Sequence, residues 1–279
     1  MPIAPVNGVE LYYEETGRGA PLVWSHEFGG DHRSWEPQVR YFGRRYRVVT
    51  YNHRGYPPSA VPKAAGDYSQ ALLVEDLHGL LLHLRLGPVH LAGCSMGANV
   101  ARDFALAHPE MLRSLVLVGA GAGSVDRERF LNAQAATAAT LEAEGIEGLL
   151  RGFATLPNRA SFRDKDPRGF AEFLRQAGEH DAQACAHLAR EVMAKRPTVF
   201  DAQAGLQALR VPTLVMVGDE DGPCLEPSLA LRRLIPHAGL AVFPACGHTL
   251  NIEEPALFNL HVAEFLAAVE GGRWAGWSR

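Results

Sequence analysis

The chain carries a serine, a run of acids and a histidine in a setting suited to nucleophilic acyl transfer. Ser95 stands in "GCSMG", a Gly-x-Ser-x-Gly pattern between the apolar run "PVHLAGC" and a helical pattern, "GANVARDFALAHPEML". A serine hydroxyl is a weak nucleophile at neutral pH and needs a general base oriented by a third group. His248, in the glycine turn "ACGHTL", is the candidate base, and Asp219, Glu220 and Asp221 of "VGDED" are candidate acids. A strand turning sharply into a helix would hold Ser95 in strained backbone, with Gly93 and Gly97 where side chains would collide. The amide of Met96, at the helix N-terminus, would then face a developing oxyanion. His83, His90, His108, His180, His187 and His261 lie on no such turn and are read as structural. Cys94 is expected to point inward rather than to serve as a nucleophile.

These residues need strands that end at one edge of a sheet. The runs "PLVWSH", "YRVVTY", "PVHLAGC" and "RSLVLVGA" alternate with helical patterns such as "SQALLVEDLHGLLLHLRLG", the signature of a mostly parallel sheet flanked by helices. "VELYYEE" alternates and predicts an antiparallel edge strand. From 124 to 207 the chain turns helical, rich in alanine and charge, with breaks at Pro157, Pro167 and Pro197. Strand character returns in "VPTLVMVGDED" and "GLAVFPACGH", and "EEPALFNLHVAEFLAAVE" predicts an amphipathic last helix. The organisation expected is therefore α/β: a core of 1–123 and 208–279 with a helical insertion at 124–207. "GGRWAGWSR" is expected to be a tail whose two tryptophans pack on the body or stand exposed.

Composition narrows the partners. Of 279 residues, 47% are hydrophobic, enough for a large core, and 27 basic against 31 acidic residues leave a net charge of −4 with no block of either sign. Nothing in that balance attracts nucleic acid or an anionic membrane surface. No stretch approaches the roughly 20 apolar residues of a spanning helix, and no basic-then-apolar leader opens the chain, so a cytoplasmic protein acting on a small molecule is expected. Cys94, Cys185, Cys224 and Cys246 form neither a disulfide framework nor a zinc spacing and are read as reduced thiols.

The sequence resembles a cap-bearing serine hydrolase of the α/β-hydrolase family over nearly its whole length. The likeness rests on "VWSHEFGG", "YNHRGYPPS", "GCSMG", "VGDED" and "ACGHTLNIEEP", with the helical middle matching the family's cap. It implies Ser95 as nucleophile, His248 as base and Asp221 as orienting acid, because the family's acid usually stands three positions after the strand-ending glycine, here Gly218. Asp219 is the second choice. It also implies an oxyanion hole from the amides of Met96 and Phe28, and chemistry that needs no metal or organic cofactor.

A serine nucleophile argues against dehalogenases and epoxide hydrolases, which generally use aspartate there. Carbon–carbon hydrolases of the family also commonly carry Ser-Met-Gly, but with a glycine-richer early loop and often Asn where this chain has Cys94. Hydrolysis of a carboxylic ester of a small, largely apolar molecule therefore ranks first, and enol-lactone or carbon–carbon cleavage second. A non-catalytic ligand-binding protein of the same fold is the alternative from another class, and the complete set of three residues speaks against it.

Two loops depart from the family's pattern: Glu27 replaces the glycine of His-Gly-x-Gly, and Asn52 and Pro57 replace an aspartate and a glycine in the "YNHRGYPPS" loop. A free anion at Glu27 would oppose the transition state, since like charges at 4 Å cost about 4 kcal/mol at an effective dielectric of 20. Glu27 is expected to turn behind its loop and be neutralised by Arg54 or backbone amides, or else to border the pocket. Trp35 and Met96, which the motifs put near the site, are expected on the pocket wall or else in packing. Phe130, Leu131, Leu149, Leu150, Phe153, Phe162, Phe170 and Phe173 supply apolar surface to the cap, most of it as cap core.

Overall fold

A computed structural model describes residues 2–274. Eight strands form one sheet in the order β1-β2-β4-β3-β5-β6-β7-β8: β1 Ile3–Val6, β2 Val9–Thr16, β3 Ala20–Ser25, β4 Tyr46–Tyr51, β5 Val89–Cys94, β6 Leu112–Val118, β7 Thr213–Gly218 and β8 Ala238–Phe243. β1 and β2 pair antiparallel, as do β2 and β4, and every other pairing is parallel. "VELYYEE" is thus antiparallel, but it is not the edge. That place belongs to β1, a four-residue strand whose proline hides its strand character. β5 and β7 are buried at every position, which is why they read as unbroken apolar runs.

The two-residue period of the strands divides the core into two layers. Val23, Val89, Leu91, Leu115, Leu117 and Val215 face one side of the sheet, where α2 (Gln70–His83) and α3 (Met96–Ala107) supply Leu73, Leu77, Leu80, Val100 and Phe104. Leu22, Trp24, Ala92, Cys94, Val116, Val118 and Met216 face the other, with Phe42 of α1 (Glu36–Phe42) and Phe258, Val262 and Phe265 of the last helix, Pro255–Glu270. Leu84 caps α2, and Arg85, at φ +53°, takes the left-handed conformation.

Between β6 and β7 the chain forms α4 (Arg127–Thr155), α5 (Ala160–Lys165), α6 (Pro167–Ala177), α7 (Ala182–His187) and α8 (Gln203–Ala208). α4 breaks at Gly145, whose φ of +67° no helix accommodates. Pro167 opens α6 at the first helical position, where its missing N–H costs nothing. α8 packs against α9 (Gly222–Leu234), the helix that follows β7, so the insertion ends on the sheet's own helical layer. No helix of the described residues is long and apolar enough to cross a membrane. Trp274 packs edge-on against Phe265 and donates its indole N–H to the His237 carbonyl at 2.9 Å, whereas Trp277 lies outside the described residues.

Close backbone approach fixes how α3 leaves the sheet. A Cβ on Gly97 would fall 2.2 Å from the Ser25 carbonyl oxygen, and one on Gly93 would fall 2.3 Å from the Gly97 carbonyl oxygen. Gly97→Ala is therefore expected to cost about 1–3 kcal/mol or more. Gly66→Ala, whose Cβ enters open space, is expected to stay within about 0.5 kcal/mol of wild type. Equal melting temperatures for the two variants would contradict this account.

Candidate active site

Ser95 sits where β5 turns into α3, with φ +52° and ψ −110°. An L-residue held there carries strain on the order of 1–3 kcal/mol, which the surroundings must impose. They do so from both sides: Ser95 N–H donates to the Val118 carbonyl at 2.8 Å, and the Ser95 carbonyl accepts from the Asn99 amide at 3.1 Å and from Asn99 Nδ2 at 2.8 Å. The hydroxyl is thereby lifted from the sheet end beside the N-terminus of a twelve-residue helix.

His248 and Asp221 meet it from the ends of β8 and β7. Ser95 Oγ–H donates to His248 Nε2 at 2.8 Å, and His248 Nδ1–H donates to Asp221 Oδ2 at 2.6 Å. The carboxylate can only accept, so it fixes the proton on Nδ1 and leaves Nε2 free to take one from the serine. Burial alone would push the Asp221 carboxyl up; the His248 ring and hydrogen bonds from His248 and Asn158 outweigh it and hold the group below the usual aspartate value. Asp219 is not part of this line: its Oδ1 accepts from the Cys246 amide at 3.2 Å and supports the turn that carries His248.

The structure adds a residue that the sequence reading missed. Asn158, in the turn between α4 and α5, donates from Nδ2 to Asp221 Oδ1 at 3.0 Å, and its carbonyl accepts from the His248 amide at 2.9 Å. One insertion residue therefore holds both Asp221 and His248. Its only mark in the sequence is its place after the break at Pro157. Gly247 permits the approach, since a Cβ there would lie 2.2 Å from the Asn158 carbonyl oxygen.

The loop after β3 lies over the start of α3, as the contact between Gly97 and the Ser25 and His26 carbonyls requires. His26 is fully buried, and burial pushes it down to about 3. The neutral ring donates from Nδ1 to the Glu27 carbonyl at 2.8 Å and accepts the His53 amide on Nε2 at 3.1 Å. Gly29 N–H donates to the Tyr56 hydroxyl at 3.2 Å, and the Phe28 ring meets Phe153 of α4 edge-on. The loop is thus tied to β4's following turn and to the insertion.

Glu27 departs from one expected partner. Arg54 forks onto Asp76, with Nε and Nη2 each at 2.6 Å from a carboxylate oxygen. Glu27 is fully buried, accepts from Ser34 Oγ at 3.0 Å on Oε1, and leaves Oε2 without a partner. Burial pushes its carboxyl up, against the opposing pull of its own backbone amide, of Arg159 and of Ser34. Trp35 takes the packing alternative: its ring lies tilted against Trp24, centres 4.6 Å apart, and against Phe258, inside the core layer formed by α1 and the last helix. The motif set its distance along the chain, but not the sheet face on which the turn deposits it. Cys94 lies in that same layer, and burial pushes its thiol well above the usual value, so no thiolate is available beside Ser95.

The model of the family described as alpha/beta hydrolase fold matches residues 20–255, and the chain belongs to that family. Among curated relatives it is 29% identical, over 97% of its own length and all of the relative's, to the "Putative carbamate hydrolase RutD" of Azorhizobium caulinodans. Among solved structures, a thermophilic esterase from Thermogutta terrifontis matches with a TM-score of 0.86 and 28% identity over 96% of this chain and 98% of that one. The enol-lactonase from Burkholderia xenovorans LB400 matches with a TM-score of 0.82 and 26% identity over 95% of this chain and all of that one.

A carboxyl that burial pushes up disfavours its own ionisation in the folded chain, so the unfolded chain loses the proton first and stability falls as pH rises above the ordinary Glu value of 4.5. Glu27→Gln keeps an acceptor for Ser34 and cannot ionise. It is expected to melt higher than wild type at pH 8, with the margin shrinking toward pH 5 in differential scanning calorimetry. A variant that melts lower than wild type at pH 8 would contradict the assignment.

Proposed function

We propose that this hydrolase-family chain cleaves a carboxylic ester of a small, largely apolar molecule through an acyl-enzyme on Ser95. The observation that carries the reading is the unbroken line Asp221–His248–Ser95, at 2.6 and 2.8 Å, ending on a serine in left-handed backbone. Ser95 Oγ attacks the ester carbonyl as His248 Nε2 takes its proton. Asp221 holds the Nδ1–H tautomer and stabilises the imidazolium, with Asn158 keeping Asp221 in place. The tetrahedral oxyanion is received by the amides of Met96 and Phe28; losing one such donor typically costs about 3–4 kcal/mol of barrier. His248 then protonates the departing alkoxide. Water, deprotonated by the same ring, releases the acid.

Hydrolysis of an enol-lactone is the second reading, favoured by the likeness to the Burkholderia enol-lactonase. It uses the same acyl-enzyme with a tethered leaving group. Carbon–carbon cleavage shares that second place, supported by relatives 31% identical that are named 2-hydroxy-6-oxononadienedioate/2-hydroxy-6-oxononatrienedioate hydrolases; it would require this site to protonate a carbon leaving group, and the likeness to the thermophilic esterase supports the simpler oxygen leaving group.

Ser95→Ala is expected to lower p-nitrophenyl butyrate turnover by at least about 10⁴-fold, and a fluorophosphonate is expected to label wild type at Ser95 alone. Turnover that survives Ser95→Ala would sink the proposal, and so would absence of both turnover and labelling in folded wild type, which would favour a binding protein.

A further inference from the structure

The residue after Asn158 is a buried cation with unpaired donors. Arg159 is 4% exposed, and its guanidinium lies 4.5 Å from the Phe173 ring centre and 4.8 Å from that of Phe153. Aromatic faces stabilise a cation but accept no directed N–H bond in the manner of a carboxylate. Nε and Nη1 are both buried without a hydrogen-bond partner, and among the described residues no carboxylate comes within ion-pairing distance of the group. The other buried arginines make directed bonds: Arg54 forks onto Asp76, Arg102 reaches Asp103 although its Nη1 is unpaired, and Arg196 donates to the Ala122 carbonyl.

Its position ties this cation to Ser95. The preceding residue, Asn158, binds both Asp221 and His248. Phe153, beneath the guanidinium, meets Phe28 edge-on and packs so tightly on Gly29 that a Cβ there would fall 2.5 Å from the ring. The charge of Arg159 acts on Glu27, Cys94, Asp221 and Glu253; Cys94 precedes Ser95 in the chain and Asp221 holds His248. A desolvated cation with orphan donors costs several kcal/mol, and a planar guanidinium recovers that best from a carboxylate, which it meets with parallel N–H bonds. One arginine among phenylalanines suits a single negative charge on an otherwise apolar molecule.

We propose that Arg159 is a specificity residue that binds a carboxylate of the substrate, so that the preferred substrates are half-esters of short dicarboxylic acids. The methylene chain would run along Phe28, Phe153 and Phe173 between the cation and the reacting carbonyl. Glu27, whose burial favours the neutral acid, would set no like charge against the incoming anion. The inference rests on the proposed ester hydrolysis at Ser95 and names the class of ester.

Monomethyl and dimethyl esters of glutaric, adipic and pimelic acids differ in the one charge at issue, and pH-stat titration gives kcat/KM for each. Wild type is expected to favour at least one monomethyl ester over its dimethyl partner by tenfold or more, mainly through KM. Arg159→Met is expected to erase most of that ratio and Arg159→Lys to keep an intermediate one. A wild-type ratio near or below one at all three lengths overturns the inference whether or not the variants fold, and a ratio that survives in Arg159→Met or is untouched in Arg159→Lys overturns it as well. If neither ester of any pair is turned over, the hydrolytic proposal fails. Calorimetric binding of the same esters to Ser95→Ala then decides the inference separately, tighter binding of a monomethyl ester supporting it and equal or weaker binding overturning it.

Discussion

The line from Asp221 through His248 to Ser95 has to pass over the end of β6, because its members come from β5, β7 and β8 and β6 lies between them. Gly119, just past β6, leaves that space. A Cβ there would already touch Asp221 Oδ2 and the His248 ring at 3.3 Å, and its φ of +55° is one that side chains rarely adopt. The rest of the site follows from the same constraint. Gly93 and Gly97 let α3 leave the sheet over the β3 loop, Gly218 lets the end of β7 lie against the Cys246 carbonyl, and Gly247 lets the insertion reach the base. Missing side chains at strand ends bring the polar groups together, and the polar groups then lock the backbone.

The helical insertion contributes to the site's electrostatics as well as to its walls. Asn158 uses its side chain on Asp221 and its backbone on His248, so the insertion cannot shift without loosening that hydrogen-bonded line. In a desolvated setting such hydrogen bonds are stronger than in water and costlier to leave unmade. Phe153 completes the link by seating its ring on Gly29 of the loop that carries Phe28. The insertion thus meets both the Asp221–His248 pair and the loop after β3.

Much of this was legible in the sequence wherever a residue's environment follows from its own strand or turn. β3 to β8 announce themselves as apolar runs, and Ser95, Asp221 and His248 each stand just past one of them. Legibility failed where the partner lies far along the chain or on an unspecified face. Arg54 was a reasonable counterion for Glu27 on proximity of their loops, yet it turns to Asp76 in α2, and Ser34 takes the glutamate. Distance from a motif leaves Trp35 open between pocket wall and packing, because it says nothing of the sheet face the residue enters. Asn158 and Arg159 belong to no motif, and their roles depend on how α4 and α5 return over the strand ends.

Formation of a covalent acyl intermediate on Ser95 is tested by intact-protein and peptide mass spectrometry of wild type quenched in acid during turnover of p-nitrophenyl butyrate. The expected result is the mass of one butyryl group on the peptide bearing Cys94 and Ser95, with fragmentation locating it on the serine and replacement of His248 by alanine abolishing it. An adduct on Cys94, or rapid hydrolysis without any burst or adduct, would contradict it.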